Sequence, residues 1–133
     1  MHRKFIIIAA MLGLTGVAAG AFGAHALKQH LAADKLAAFE VGVRYQMYHA
    51  LALLALAWVT SLRPSRAATA AGFCMIFGTV MFSGSIYGLT LTEQKWLGPV
   101  TPIGGTVLMV GWLMLAIAAA KTNRGSTAQG DRP

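Results

Sequence analysis

Four long stretches of the chain carry no Asp, Glu, Lys or Arg: residues 5–24, 45–62, 67–92 and 96–120. Crossing a hydrocarbon layer about 30 Å thick takes roughly 20 helical residues, with about 17–25 workable. Each stretch reaches that length. A helix of a soluble bundle would keep a polar outer face, and these have none. The pattern predicts an all-α membrane protein with four transmembrane helices, at about 5–24, 45–62, 67–92 and 98–120, in one domain over residues 1–120.

Before the second span the pattern changes. Leu36, Val43 and Met47 fall within about 40° on a helical wheel, with Phe39 beside them. Residues 31–44 therefore read as an amphipathic helix lying in the outer interface. Asp34, Lys35 and Gln46 point away from its apolar stripe and are expected to be solvated. Glu40 and Arg44 border that stripe, spaced i, i+4 for mutual contact, and Tyr48 is the next step on the same face.

A charged pair beside apolar surface is costly unless it is paired and hydrogen-bonded. The segment "FEVGVRYQMYHALALL" (39–54) is thus expected to satisfy itself. Arg44 neutralises Glu40, while Tyr45, Gln46, Tyr48, His49 and His25 supply further donors and acceptors. His25 ends span one on the side where His49 begins span two, so the two are expected to approach. The candidate cluster is His25, Glu40, Arg44, Tyr45, Tyr48 and His49. Its first reading is a structural clasp; its second is a binding site for a lipid head group, quinone or partner protein. No HxxxH or HExxH spacing is present, so no catalytic residue, metal ligand or cofactor is assigned. No ionisable side chain is expected mid-span, which argues against a proton-coupled carrier.

Glycines carry the packing signal. Gly13, Gly16, Gly20 and Gly23 lie within about 80° of one another at 100° per residue. Gly84 and Gly88 form a GxxxG flanked by Ser83 and Ser85, and Gly104 and Gly111 share a face of span four. Between helices in lipid, close packing at small residues replaces the hydrophobic effect. These stripes read first as packing within one bundle and second as a homo-oligomer interface. "GPVTPIGGT" (98–106) opens span four, with Thr101 as the expected N-cap and Pro102 in the first turn. Trp96 and Tyr87 read as interfacial aromatics.

Composition agrees: 56% of residues are hydrophobic and only 11% charged. The net charge of +7 is no nucleic-acid footprint, because its carriers are sorted by loop. Arg3, Lys4, Arg63, Arg66, Lys121, Arg124 and Arg132 fall on one side, and Lys28, Lys35, Arg44 and Lys95 on the other, offset there by Asp34, Glu40 and Glu93. The positive-inside rule then places both termini in the cytoplasm. The start of the chain is similar to a signal peptide, but its apolar run of 20 residues exceeds the usual h-region of about 7–15, so an uncleaved first helix is expected. "RPSR" (63–66) joins spans two and three as a tight hairpin. Cys74 reads as a small apolar filler, no inverted repeat is visible, and residues 121–133 read as a disordered cytoplasmic tail.

Several blocks resemble a known family. "GAFGAHALK", "FEVGVRYQMYHALALLALA", "FSGSIYGLTL" and "GPVTPIGGTVLMVGWLMLA" occur in the order seen in the YgdD-like family of small inner-membrane proteins. The likeness covers residues 5–120, and a eukaryotic small transmembrane protein, thought to be mitochondrial, shares it. Ala26 stands where the family often has Gly. The resemblance implies a multi-pass bacterial inner-membrane protein and no activity. The function expected is therefore a non-enzymatic accessory or structural protein in contact with membrane lipids, with a membrane-protein partner or a second copy of itself. The alternative is a small transport or channel component acting as an oligomer.

Overall fold

In lipid a segment has no water to satisfy its backbone, and a helix pairs every N–H and C=O within the segment. The charge-free stretches accordingly become helices. The computed structural model describes the backbone of residues 1–123 and the side chains of residues 1–120. Helix α1 runs His2–His25, α2 Ala33–Leu62, α3 Arg66–Thr92 and α4 Val100–Asn123. Short 3-10 turns at Leu27–Gln29 and Lys95–Leu97 complete the two connections at one end, and no strand occurs among the described residues. Helix α4 continues into the segment expected to be a tail; residues 124–133 lie outside the described residues.

Each helix packs chiefly on its neighbour in sequence. As Gly16, Gly20 and Gly23 advance along α1, their partners Met47, Val43 and Phe39 recede along α2, so the two are antiparallel. At the α2–α3 hairpin, Ser65 Oγ accepts from the Ala68 N–H at 3.1 Å and caps α3. At the opposite end Glu93 closes α3 in the left-handed region, with φ of 58°.

Helix α2 corrects the sequence expectation. No separate interfacial helix spans residues 31–44, because α2 runs unbroken from Ala33 to Leu62. Its 30 residues extend about 45 Å at 1.5 Å each. The reason is a buried seam that crosses the expected break: Phe39, Gly42, Gln46, His49, Leu53, Leu56 and Thr60 are all buried. They alternate at spacings of 3 and 4, the repeat that keeps one face of a helix on its partners. Three segments are apolar and long enough to cross a membrane: His2–Gln29, Arg66–Thr92 and Lys95–Ala120. Helix α2 has the length, but Tyr45, Gln46, Tyr48 and His49 occupy its middle.

The bundle has two tiers. Toward the α2–α3 hairpin, Phe5, Leu53, Leu56, Ala71 and Met75 form a dry apolar core. Gly72 makes room for Phe5: a Cβ there would sit 2.4 Å from the ring's Cζ. The other tier is polar and holds the candidate site. Of the glycines expected at helix interfaces, Gly16, Gly20, Gly23, Gly104 and Gly111 face a neighbouring helix and Gly88 faces Leu97. Gly13 and Gly84 do not, since nothing lies within 4 Å of a Cβ at either. Gly42, Gly72 and Gly78, absent from the expected stripes, pack closely instead. Thr101 is likewise not the N-cap of α4 but lies inside its first turn, with Oγ1 2.7 Å from Ser85 Oγ.

Among the described glycines, the tightest approach to a neighbouring backbone is at Gly104, where a Cβ would lie 2.5 Å from Phe82 N. Backbone cannot swing aside as a side chain can. Gly104→Ala should therefore lower stability by about 1–3 kcal/mol, the usual cost of overpacking. Gly84→Ala should leave it nearly unchanged. Thermal unfolding in detergent checks both, and equal losses would contradict the packing.

Candidate functional site

The polar tier is organised by one amide. Gln46 is 6% exposed. Its Nε2 donates to the Leu12 carbonyl and to Thr15 Oγ1, both at 2.8 Å, and its Oε1 accepts from the Tyr87 hydroxyl at 2.8 Å. Both amide hydrogens are spent and the carbonyl is used, as burial of such a group demands. Gln46 had been expected to be solvated. It is buried because the heptad-like seam of α2, not the apolar wheel of residues 31–44, decides which face turns inward.

His49 is the second hub. Its Nδ1 lies 2.8 Å from the Tyr45 carbonyl oxygen, and the Trp112 indole Nε1–H donates to its Nε2 at 3.2 Å. A carbonyl oxygen only accepts and an indole N–H only donates. The geometry therefore puts the ring proton on Nδ1 and the lone pair on Nε2. With Ser83 Oγ donating to the Gly42 carbonyl at 2.7 Å and Thr101 beside Ser85, polar contacts tie together all four helices. Among the described residues no buried side-chain nitrogen or oxygen lacks a partner.

His49 also moves relative to expectation. It does not meet His25: Gly23, near the end of α1, packs on Phe39, and His49 is ten residues further along α2, about 15 Å away along the axis. Gln46 bonds to the midpoint of α1, and the partner of His49, Trp112, lies at the midpoint of α4. An ionisable ring therefore sits at the mid-height of the bundle, where the sequence pattern placed none, because α2 begins twelve residues before the span expected for it. Beside this tier a groove of about 380 Å³ opens between α1 and α3, lined by Thr15, Gln46, Thr79, Ser83, Gly84 and Tyr87 among others.

The charged members of the expected cluster behave differently. Glu40 and Arg44 are exposed and form no salt bridge with each other or with any described residue. They flank a cleft of about 240 Å³ between α1 and α2, formed with Gly20, Gly23, Phe39 and Val43. Tyr45 and Tyr48 are exposed; the Tyr45 ring stacks against His49 and packs on Phe82. His25 is exposed at the end of α1. Of the expected six, only His49 is buried, with the Tyr45 ring against it; His25, Glu40, Arg44 and Tyr48 are exposed. The clasp itself is made by His49 of the expected cluster, by Gln46, read there as a further donor, by Ser83, and by Thr15, Tyr87 and Trp112, which the residue pattern does not single out as a site. The signal that could have found Gln46 is the 3-4 spacing from Phe39 to Thr60.

Among the described residues no three His, Cys, Asp or Glu side chains come together as a metal site would require. At the end of the bundle away from the α2–α3 hairpin, Lys35, expected to be solvated, pairs with Glu93 across α2 and the end of α3. The hydrogen bond from Lys35, and then its charge, hold the Glu93 carboxyl below its ordinary value of 4.5.

A family model described as a protein of unknown function, DUF423, matches residues 19–105. The chain belongs to that family. The UPF0382 membrane protein of Staphylococcus saprophyticus is 45% identical over 119 residues, covering 90% of this chain and 98% of that protein. The Bacillus subtilis UPF0382 membrane protein YwdK is 42% identical over 120 residues, 90% and 98% of the two chains. The Escherichia coli UPF0382 inner membrane protein YgdD is 37% identical over 122 residues, 92% and 93% of the two. No solved structure matches. This DUF423 chain is therefore a membrane protein of a family without an assigned activity, as the resemblance implied.

Three predictions follow from the site. Gln46→Leu strands the Tyr87 hydroxyl and two α1 acceptors, and should destabilise by about 1–3 kcal/mol. In a double-mutant cycle with Tyr87→Phe, the coupling should be about 0.6 kcal/mol, the average for hydrogen bonds between membrane helices. Glu40→Ala should leave thermal stability in detergent unchanged within error. The Lys35–Glu93 contact should stabilise the fold above the ordinary carboxylate range and lose that contribution as pH falls through the depressed Glu93 value. Thermal melts across acid pH should therefore show a component that Glu93→Gln removes.

Proposed function

We propose that this chain crosses the bacterial inner membrane four times with both termini in the cytoplasm. It acts there without catalysis, as an accessory or structural protein whose outer cleft binds a lipid or a membrane-protein partner. The observation that carries this reading is the division of polar groups. Inside, hydrogen-bonding capacity is spent on the fold, whereas Glu40 and Arg44 remain unpaired at a cleft in the helix surface. An unpaired charge close to hydrocarbon is expensive, so this pair is where a lipid or partner gains most by binding. The four-span reading draws on α2, which is antiparallel to α1 and α3, both long and apolar enough to cross. The orientation draws on the sorting of Lys and Arg between the two ends.

A second reading, a small transport or channel component working as a homo-oligomer, draws on the mid-height groove and on the ionisable His49 at a similar height, facing α4. Purification in native-membrane nanodiscs with mass spectrometry separates the two. A stoichiometric lipid or protein that is lost in Arg44→Ala supports the accessory reading. Retention by Arg44→Ala, together with a stable oligomer, supports the second. A reporter fused after Pro133 should be cytoplasmic, and a periplasmic signal would overturn the topology.

A further inference from the structure

We infer that the α1–α2 cleft is a site for a phospholipid whose head group carries a primary amine, with Arg44 holding its phosphate and Glu40 its ammonium. This rests on the outer-cleft reading above and adds the ligand's chemical class. Four observations lead to it: the sign of the two charges, their order along the helix, their lack of protein partners, and the shape of the cleft between them.

The order comes from the packing register. Val43 lies 3.4 Å from the position of a Cβ on Gly20, and Gly20 is five residues inside His25, the last residue of α1. Arg44, adjacent to Val43, therefore starts about 8 Å below the end of α1 at 1.5 Å per residue. A long arginine stem from that depth reaches outward to the head-group layer. Glu40 lies one turn nearer the rim, about 6 Å further out. In a phospholipid the phosphate is next to the glycerol and the amine is beyond it, toward water. Cation below and carboxylate above repeats that order.

The chemistry of each group fits its place. Arginine presents a planar fork of donors that matches phosphate oxygens. An ionised carboxylate only accepts, so it gains from the N–H donors of a primary ammonium and finds none on a quaternary one. The glycine backbone at Gly20 and Gly23, with Phe39 and Val43 alongside, leaves an apolar trough. That trough takes the glycerol end and upper acyl chain, which a water-soluble phosphate ester lacks, so the occupant is a lipid. Glu40 and Arg44 sit i, i+4, with the carboxylate on the N-terminal side, the favourable arrangement for an ion pair, yet they are not paired. Both are left available to a ligand with one charge of each sign.

The test uses the full chain in nanodiscs holding equal amounts of phosphatidylethanolamine and phosphatidylcholine, read by native mass spectrometry during delipidation. The wild-type protein should retain phosphatidylethanolamine about three- to fivefold over phosphatidylcholine, the scale of a partly exposed ion pair. Glu40→Gln should abolish that preference while still retaining phospholipid, and Arg44→Gln should lose retention of both. Equal retention by the wild type, lost in Arg44→Gln, overturns the amine assignment but leaves the lipid cleft standing. Retention unchanged in Arg44→Gln overturns both. Since both side chains are exposed, the variants should fold, and their thermal melts check this.

Discussion

A buried primary amide has two donors to satisfy, and away from water only protein can satisfy them. Gln46 is placed where α1, α2 and α3 meet, so satisfying it fixes the three helices together. Its nitrogen needs the Leu12 carbonyl and Thr15 within 2.8 Å, and its oxygen needs Tyr87. A helical carbonyl is normally hidden by its own side chains. Leu12 O is within reach because Gly16, one turn on, has no Cβ: one there would come 2.6 Å from Met47 Sδ and 3.4 Å from Gln46 Nε2. The glycine and the glutamine are one device. Small residues let the helices approach, and the amide then sets their register by a directional bond.

The two tiers answer the same problem in different ways. Between helices in lipid, apolar contact gains little over contact with acyl chains, so packing quality and hydrogen bonds must supply the association. Near the hairpin, alanines and Gly72 let Phe5 seat deeply, and packing does the holding. Mid-bundle, the Gln46 and His49 networks do it. His49 links α2 to α4, helices that otherwise meet little. Polar groups at this depth are thus joints of the fold, and their presence is not in itself a sign of a conduction path. The groove beside them is lined by Thr79 and Ser83, whose hydroxyls already donate to the Met75 and Gly42 carbonyls.

Much of this was legible along the chain. Charge-free runs located α1, α3 and α4 to within a few residues, because length and absence of charge are local properties. Spacing placed Gly16, Gly20 and Gly23 on a packing face, since a helix wheel needs no knowledge of neighbours. Gly13, Gly84 and the Thr101 cap aside, what failed were the inferences that depended on where α2 begins. Residues 31–44 contain charges, so they read as lying on the membrane, and that shifted Gln46 and His49 outward by about three turns. Only packing against Tyr87 and Ile86 on α3 shows that Gly42 is an interior contact. The Glu40–Arg44 pair was legible as two neighbouring charges. Whether they close on each other depends on side-chain geometry that spacing alone does not set.

These corrections change what the charged pair means. If Glu40 and Arg44 held the helix tops together, their chemistry would be consumed by the fold, as that of Gln46 is. The fold has instead a complete set of internal joints without them. A charge without a protein partner on a surface that faces lipid would carry a standing cost, because lipid solvates it poorly. Surface lysines and glutamates in water bear no such cost, so their exposure has little meaning. At the depth proposed for Arg44 exposure would be informative, since the neighbours available to offset it there are lipid head groups and other membrane proteins. On the reading proposed above, these two residues serve recognition, while the buried amide and imidazole belong to architecture.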